Sequence, residues 1–194
     1  EEVELSRRWE DGQELHLGDA VDFSVELARG ASADDRVYQR KILNVRDVAL
    51  HLLVDASSST RELVNGEPII DTEKAALALL GSSLDALGDA FSIAAYNSNG
   101  PDKVYFNLVK DFDEEWNKES RSRIASITPW SANRDGCAIR HATARLAAQR
   151  YRTKILILIG DGIPADPDYG EADGATTGDY AQEDTRRAIL EARK

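Results

Sequence analysis

One carboxylate and two hydroxyls stand at alternate positions in Asp55-Ala56-Ser57-Ser58-Ser59, directly after an apolar run. That is an oxygen-only donor set suited to a hard divalent cation, and its single negative charge leaves the ion's shell incomplete. An ion held this way keeps a position for an outside ligand, so the pattern points to partner binding rather than to catalysis. Taken alone, the stretch also reads as a polar turn. Two further loops favour the metal reading. Gly160-Asp161-Gly162 ends a second apolar run, and Ser131-Ala132-Asn133-Arg134-Asp135-Gly136 stands just before a helical pattern.

These loops need elements to bring them together. Val48 to Val54 is almost entirely apolar, as expected of a central parallel strand buried on both faces, and Lys154 to Ile159 is a second such run. Between them, Thr72 to Leu87 places Leu77, Leu80, Leu84 and Leu87 on one helical face, with Asp71 or Thr72 to cap its start and Gly88 to end it. Phe91–Tyr96 and Val104–Val109 read as strands close enough to form a hairpin. Glu114 to Ile124 reads as a polar helix, Cys137 to Arg150 as a helix with Ile139, Ala142 and Leu146 inward, and a last helix begins near Ala181. Ala20 to Leu27 fits the strand and helix templates equally poorly, and Arg29-Gly30-Ala31-Ser32 breaks the chain. Strands alternating with helices predict an α/β fold with a mostly parallel sheet, helices on both faces and one antiparallel edge strand. Ligands of such sheets bind beyond the C-terminal strand ends. Asp55 and Asp161 both close apolar strands, so a common sheet edge would bring them together.

The 194 residues carry a net charge of −11, which argues against nucleic acid, whose phosphates demand a basic footprint, and against an anionic membrane surface. No apolar run approaches the roughly 20 residues that span a bilayer, and no signal peptide is visible. A single cysteine, Cys137, allows no internal disulfide and fits a reducing, cytoplasmic setting. The absence of methionine marks the sequence as a fragment of a longer protein. Residues 1–45 read as an N-terminal extension packing on a domain at 46–194.

The Asp-x-Ser-x-Ser loop, with Asp161 on the third loop, resembles the von Willebrand factor A domain and its metal-ion-dependent adhesion site. The resemblance implies a Rossmann-like fold and Mg²⁺ (Mn²⁺ or Ca²⁺ as alternatives) held by Asp55, Ser57, Ser59 and Asp161, with a partner's carboxylate completing the shell. The family places a threonine on the second loop; counting back from Ile139 puts Asn133 there, and Asp135 is either its substitute or a helix cap. Gly160 stands where relatives often carry threonine. A strand and helix that follow the last helix in the family are not matched. Trp9-Glu10-Asp11-Gly12-Gln13-Glu14-Leu15, Arg46-Asp47-Val48, Gly88-Asp89-Ala90-Phe91, Ser98-Asn99-Gly100, Lys110-Asp111-Phe112-Asp113, Arg140-His141-Ala142 and Asp161-Gly162-Ile163-Pro164-Ala165-Asp166 extend the resemblance to the NorD/CbbO type of this domain. That type implies an adaptor, not an enzyme, working with a hexameric MoxR-type AAA+ ATPase. Its client presents an Asp or Glu carboxylate, with rubisco activation or nitric oxide reductase activation as the outcome.

Other residues carry plainer readings. Trp130, Asp135 and Arg140 are candidates for touching the partner, with helix-surface packing the safer reading for Arg140. His51 reads as a core histidine, Cys137 as a small packed thiol, and Trp9 and Trp116 as packing residues. Asp166, Asp168, Glu171, Asp173 and Asp179 miss the EF-hand spacing and read as a solvated acidic loop. A Mg²⁺-dependent hydrolase or phosphotransferase is the alternative function, opposed by the lack of a phosphate-binding glycine loop and of any histidine in the metal loops. A structural domain with a degenerate site is the other.

Overall fold

The computed structural model describes residues 2–44, 47–167, 169 and 179–193. The chain divides into two compact units, 1–46 and 47–194.

In the first unit, β1 (Glu2–Trp9), β2 (Glu14–Leu15) and β3 (Tyr38–Asn44) form an antiparallel sheet in the order β1-β3-β2, with helix α1 (Leu17–Ala28) between β2 and β3. Ala20 to Leu27, ambiguous in sequence, is therefore helical. His16 caps α1 by accepting from the Asp19 N–H at 3.2 Å, and Gly30, at φ 74°, turns the chain out of it. The helix buries none of its residues, which is why no apolar face could be read from its sequence.

The second unit is a four-stranded sheet with helices on both faces. Its elements are β4 (Val48–Asp55), a 3₁₀ turn (Ser58–Arg61), the small hairpin β5 (Leu63–Val64) and β6 (Glu67–Pro68), and α2 (Ile69–Leu87). There follow β7 (Ala90–Ser98), β8 (Val104–Lys110), α3 (Lys118–Ala125), α4 (Asp135–Ala147), β9 (Thr153–Ile159) and α5 (Asp179–Ala192). The strand order is β8-β7-β4-β9, with β4 parallel to both neighbours and β8 antiparallel to β7. The expected mixed α/β sheet is observed.

Alternation along β4 assigns the two faces. Leu50, Leu52 and Val54 join Ile70, Leu77 and Leu84 of α2 and Ile124 of α3 in one core. Leu53 joins Ala138, Ile139 and Ala142 of α4 and Ala188 of α5 in the other. Burial of β4 on both faces thus follows the sequence pattern. β9 departs from it: it pairs with β4 alone among the described residues, and Ile155 and Leu158 are 40% and 37% exposed. An apolar run reports preference for burial, not the number of neighbours available to provide it.

Two boundaries shift for local reasons. α2 begins at Ile69 rather than Thr72, because Pro68 presets the entry and the Ile69 N–H is taken by the Glu62 carbonyl at 3.0 Å; neither Asp71 nor Thr72 is the N-cap. α3 begins at Lys118, where Asn117 and Ser120 form a capping box. Gly88 closes α2 at φ 71°, as its sequence position suggested. Cys137 is exposed on α4, not packed. Trp116 is a packing residue: its ring lies against Gly81 and edge-on to Phe91. His51 is fully buried, with Nδ1 bonded to the Ser92 hydroxyl and its ring stacked on Phe106. Among the described residues no helix is long and apolar enough to cross a membrane.

Candidate functional site

β4 delivers Asp55 to the C-terminal edge of the sheet, where its side chain is 1% exposed. The next residues turn tightly because the carboxylate organises them: Ser57 N–H donates to Asp55 Oδ1 at 2.7 Å, and the Thr60 hydroxyl donates to the Ser57 carbonyl at 2.8 Å. The Ser57 and Ser59 hydroxyls then lie 2.9 Å apart, hydrogen-bonded to each other.

The second loop is sewn to the first through backbone. Trp130 N–H donates to the Ala56 carbonyl, and Ser58 N–H to the Ser131 carbonyl, both at 2.8 Å. Ser131 takes a left-handed backbone, φ 60°, a strained conformation for a residue with a Cβ. A short bridge between Ser98 and Ala132 fixes the same loop to the end of β7.

Asn133, 2% exposed, links the three loops. Its amide oxygen accepts from Ala165 N–H at 2.8 Å; its amide nitrogen donates to Asp55 Oδ2 at 2.8 Å and to Asp135 Oδ1 at 3.2 Å. A backbone N–H can only donate and a carboxylate only accepts when ionised, so these partners fix which end of the amide points where. Asp135 opens α4, is 3% exposed, and also accepts from the Tyr96 hydroxyl at 2.7 Å. Among the described residues it therefore bonds side chains of the site, and Arg134 rather than Asp135 is the N-cap of α4.

The third loop leaves β9 at Gly160. A Cβ there would stand 2.9 Å from that of Asp55, so glycine is what lets the two strand ends approach. Asp161 is half-buried and turns its Oδ1 to the Ile163 N–H at 3.0 Å. Ser57, Ser59, Asn133 and Asp161, with Glu62, Ile69 and Ile163, line one cavity of about 400 Å³. The residues singled out in sequence therefore converge, with Asp55 hydrogen-bonded to the Asn133 that lines this cavity.

The electrostatics are one-sided. Burial pushes the Asp55 carboxyl up to about 7, and the charges of Asp135 and Asp161 add to the shift while hydrogen bonds from Ser57 oppose it. Burial likewise raises Asp135, helped by Asp161 and opposed by Tyr96 and Asn133. Among the described residues no lysine or arginine pairs with either. Nor is any group of three His, Cys, Asp or Glu side chains arranged to hold a metal ion. The donors that fit a cation here are mixed, two carboxylates and two hydroxyls, which is the chemistry of a hard divalent ion.

Of the partner-contact candidates, Trp130 is 46% exposed and rests edge-on against Tyr105, beside the second loop. Arg140 ties α4 to α5 through Asp184 and Glu191, both at 2.7 Å. Asp166, read as part of a solvated loop, is 8% exposed and serves as a hub: it accepts from Ser98 Oγ, from Gly100 N–H at 2.9 Å and from Arg134 Nε at 3.0 Å. The guanidinium of Arg134 also lies over the Tyr169 ring, 4.4 Å from its centroid. Asp168, Glu171, Asp173 and the Asp179 side chain lie outside the described residues. Sequence reading missed Tyr96 and Glu73; only their positions near the site, not their types, connect them to it.

A four-stranded sheet with a parallel core, one antiparallel edge strand and the Asp-x-Ser-x-Ser loop at its C-terminal edge is the arrangement the motif implied. The PilB minor pilin of Streptococcus sanguinis shares the fold, with a TM-score of 0.51 and 15% identity over 74% of this chain and 38% of that one. The fold is von Willebrand factor A-like. In sequence, the chain is 40% identical over 190 residues to "Protein NorD" of Brucella suis, covering 98% of this chain and 29% of that protein. It is 36% identical over 199 residues to "Protein NorD" of Stutzerimonas stutzeri, covering 32% of it. The chain thus spans about 30% of the length of the curated relatives it matches. No protein-family model matches the chain.

Proposed function

We propose that this von Willebrand factor A-like domain is a metal-dependent protein-binding module of a NorD-type accessory protein. It acts with a MoxR-type AAA+ ATPase to activate a client enzyme, nitric oxide reductase in preference to rubisco, and is not itself a catalyst. The observation that carries the reading is the buried Asp55 at the sheet edge, beside the Ser57 and Ser59 hydroxyls and Asp161, with no cationic side chain among the described residues to balance it. The preference for nitric oxide reductase rests on the similarity to proteins named NorD.

Asp55, Ser57, Ser59 and Asp161 would hold Mg²⁺. When bound, the ion supplies positive charge and a coordination position for a carboxylate of the client or of the ATPase. The chain's own contribution is positioning. Ser57 N–H and the Asn133 amide hold both oxygens of Asp55, and Ala165 N–H holds Asn133 in turn. Asn133 supports the set from behind unless its amide oxygen gives up Ala165.

The test is association with the ATPase hexamer in Mg²⁺ and in EDTA. Asp55→Ala should abolish the Mg²⁺-dependent part and keep the fold; equal binding by this variant in EDTA overturns the reading. A second reading, a structural domain without metal, is favoured by the mutual hydrogen bond of Ser57 and Ser59, which gives each hydroxyl a partner without an ion. Calorimetry with Mg²⁺ and Mn²⁺ separates the two: no heat and no thermal shift would select the structural domain.

A further inference from the structure

The inward stripe of α2 is apolar except at one place. Ile70, Leu77 and Leu84 enter the core, yet Glu73 stands on the same face, 6% exposed. Its Oε2 is buried and has no hydrogen-bond partner among the described residues. Leaving a buried carboxylate oxygen unpaired costs on the order of 1–3 kcal/mol, more if it is charged, so the position is a poor one for stability alone.

The helix carrying the carboxylate runs beside the candidate site. Ile69, one turn earlier on the same side of the helix, lines the cavity shared by Ser57, Ser59, Asn133 and Asp161. α2 follows directly on the Asp-x-Ser-x-Ser loop and its hairpin. Burial raises Glu73 to about 7, and the two charges that add to the shift are those of Asp55 and Asp161; no cationic group offsets them. Glu73 therefore sits within electrostatic reach of both carboxylates of the candidate metal set, and comes from a different element.

We infer that Glu73 is a further acidic group of this site, set behind the metal loop to raise its affinity for a divalent cation. The inference rests on the metal reading of Asp55, Ser57, Ser59 and Asp161. The two carboxylates among the ion's own ligands balance a divalent charge; Asp135 and Glu73 behind them make the surroundings net negative in a poorly solvated place, where charge is felt strongly. Outer groups of this kind are commonly worth about 10- to 100-fold in metal affinity.

The experiment is Mn²⁺ titration of the full chain by calorimetry at fixed pH, on wild type, Glu73→Gln, Glu73→Met and Asp55→Ala. Gln keeps the shape and loses the charge, and Met suits the apolar stripe, so one of the two serves if the other fails to fold. The expected result is Mn²⁺ binding weakened about tenfold or more in both Glu73 variants. The thermal midpoint of Glu73→Met in EDTA should be no lower than that of wild type, since a buried orphan has been removed. Unchanged Mn²⁺ affinity in a folded Glu73 variant, with affinity lost in Asp55→Ala, overturns this inference and leaves the metal reading standing. No Mn²⁺ binding by wild type overturns both.

Discussion

Asp55 and His51 stand four residues apart on one strand, both buried, and burial moves them in opposite senses. Burial first, then the charges of Arg145 and His141, lowers His51 to about 4 from 6.5. Because the unfolded chain protonates first, the stability from neutral His51 is complete above pH 6.5 and is lost as pH falls towards 4, by about 3 kcal/mol. Asp55 is raised from 3.8 to about 7, so its contribution is complete below 3.8 and is lost as pH rises through 7. In EDTA, denaturant melts between pH 4 and 7 should show the two slopes parted by substitution. His51→Gln should make the protein gain relative stability at the acid end, and Asp55→Asn should make it lose the acid-end gain. Parallel profiles for the two variants would show that neither group titrates as its burial dictates. Asn133 illustrates what sequence could convey at this scale. Its place on the second loop followed from the resemblance, counting back from Ile139, but the direction of its amide depends on the Ala165 N–H, 32 residues away. Asn133→Ala frees that donor and loosens Asp55, and should cost about 2 kcal/mol in chemical denaturation.

Elements were legible where burial alone shaped the sequence. β4 and the leucine face of α2 carry periodicities that a core imposes: Leu77 and Leu84 are buried and Leu80 packs on the core, but Leu87, at the helix end, is 54% exposed. α1 was not legible, since it buries nothing and its sequence records no face. Close approach between elements is equally silent in a single sequence. Gly81 looks like a weak point in a helix, where glycine costs up to about 1 kcal/mol against alanine. The structure reverses the sign: a Cβ at Gly81 would lie 2.6 Å from the Trp116 ring, whose Nε1 donates to Ser82 Oγ at 3.2 Å. Gly81→Ala should therefore destabilise by about 1–3 kcal/mol, despite its better helix propensity, by pushing Trp116 off α2. Thermal unfolding reads the sign directly; a stabilised variant would mean that the indole yields without cost.

For the molecule as a whole, the net charge of −11 complicates any claim about a cation. An acidic chain repels itself, and any added salt relieves part of that repulsion by screening. A rise in stability on adding MgCl₂ is thus no argument for a site unless ionic strength is held constant. Under that control the two causes part. Ion binding to the folded form alone stabilises by RT ln(1 + [L]/Kd), about 2.7 kcal/mol at a hundredfold excess over Kd, and saturates. For a unit of the size of 47–194 that corresponds to roughly 5–10 °C in the melting midpoint. Wild type should show this saturating rise when Mg²⁺ replaces Na⁺ at equal ionic strength. Asp55→Ala should show none; in EDTA its relief from a buried, unbalanced carboxylate is offset by the Ser57 N–H and Asn133 amide left without an acceptor, so it should lie at or below wild type. The gap between the two curves should therefore widen as Mg²⁺ is added. A rise of equal size in both proteins would assign the effect to diffuse charge and remove the ground for an ion at the sheet edge.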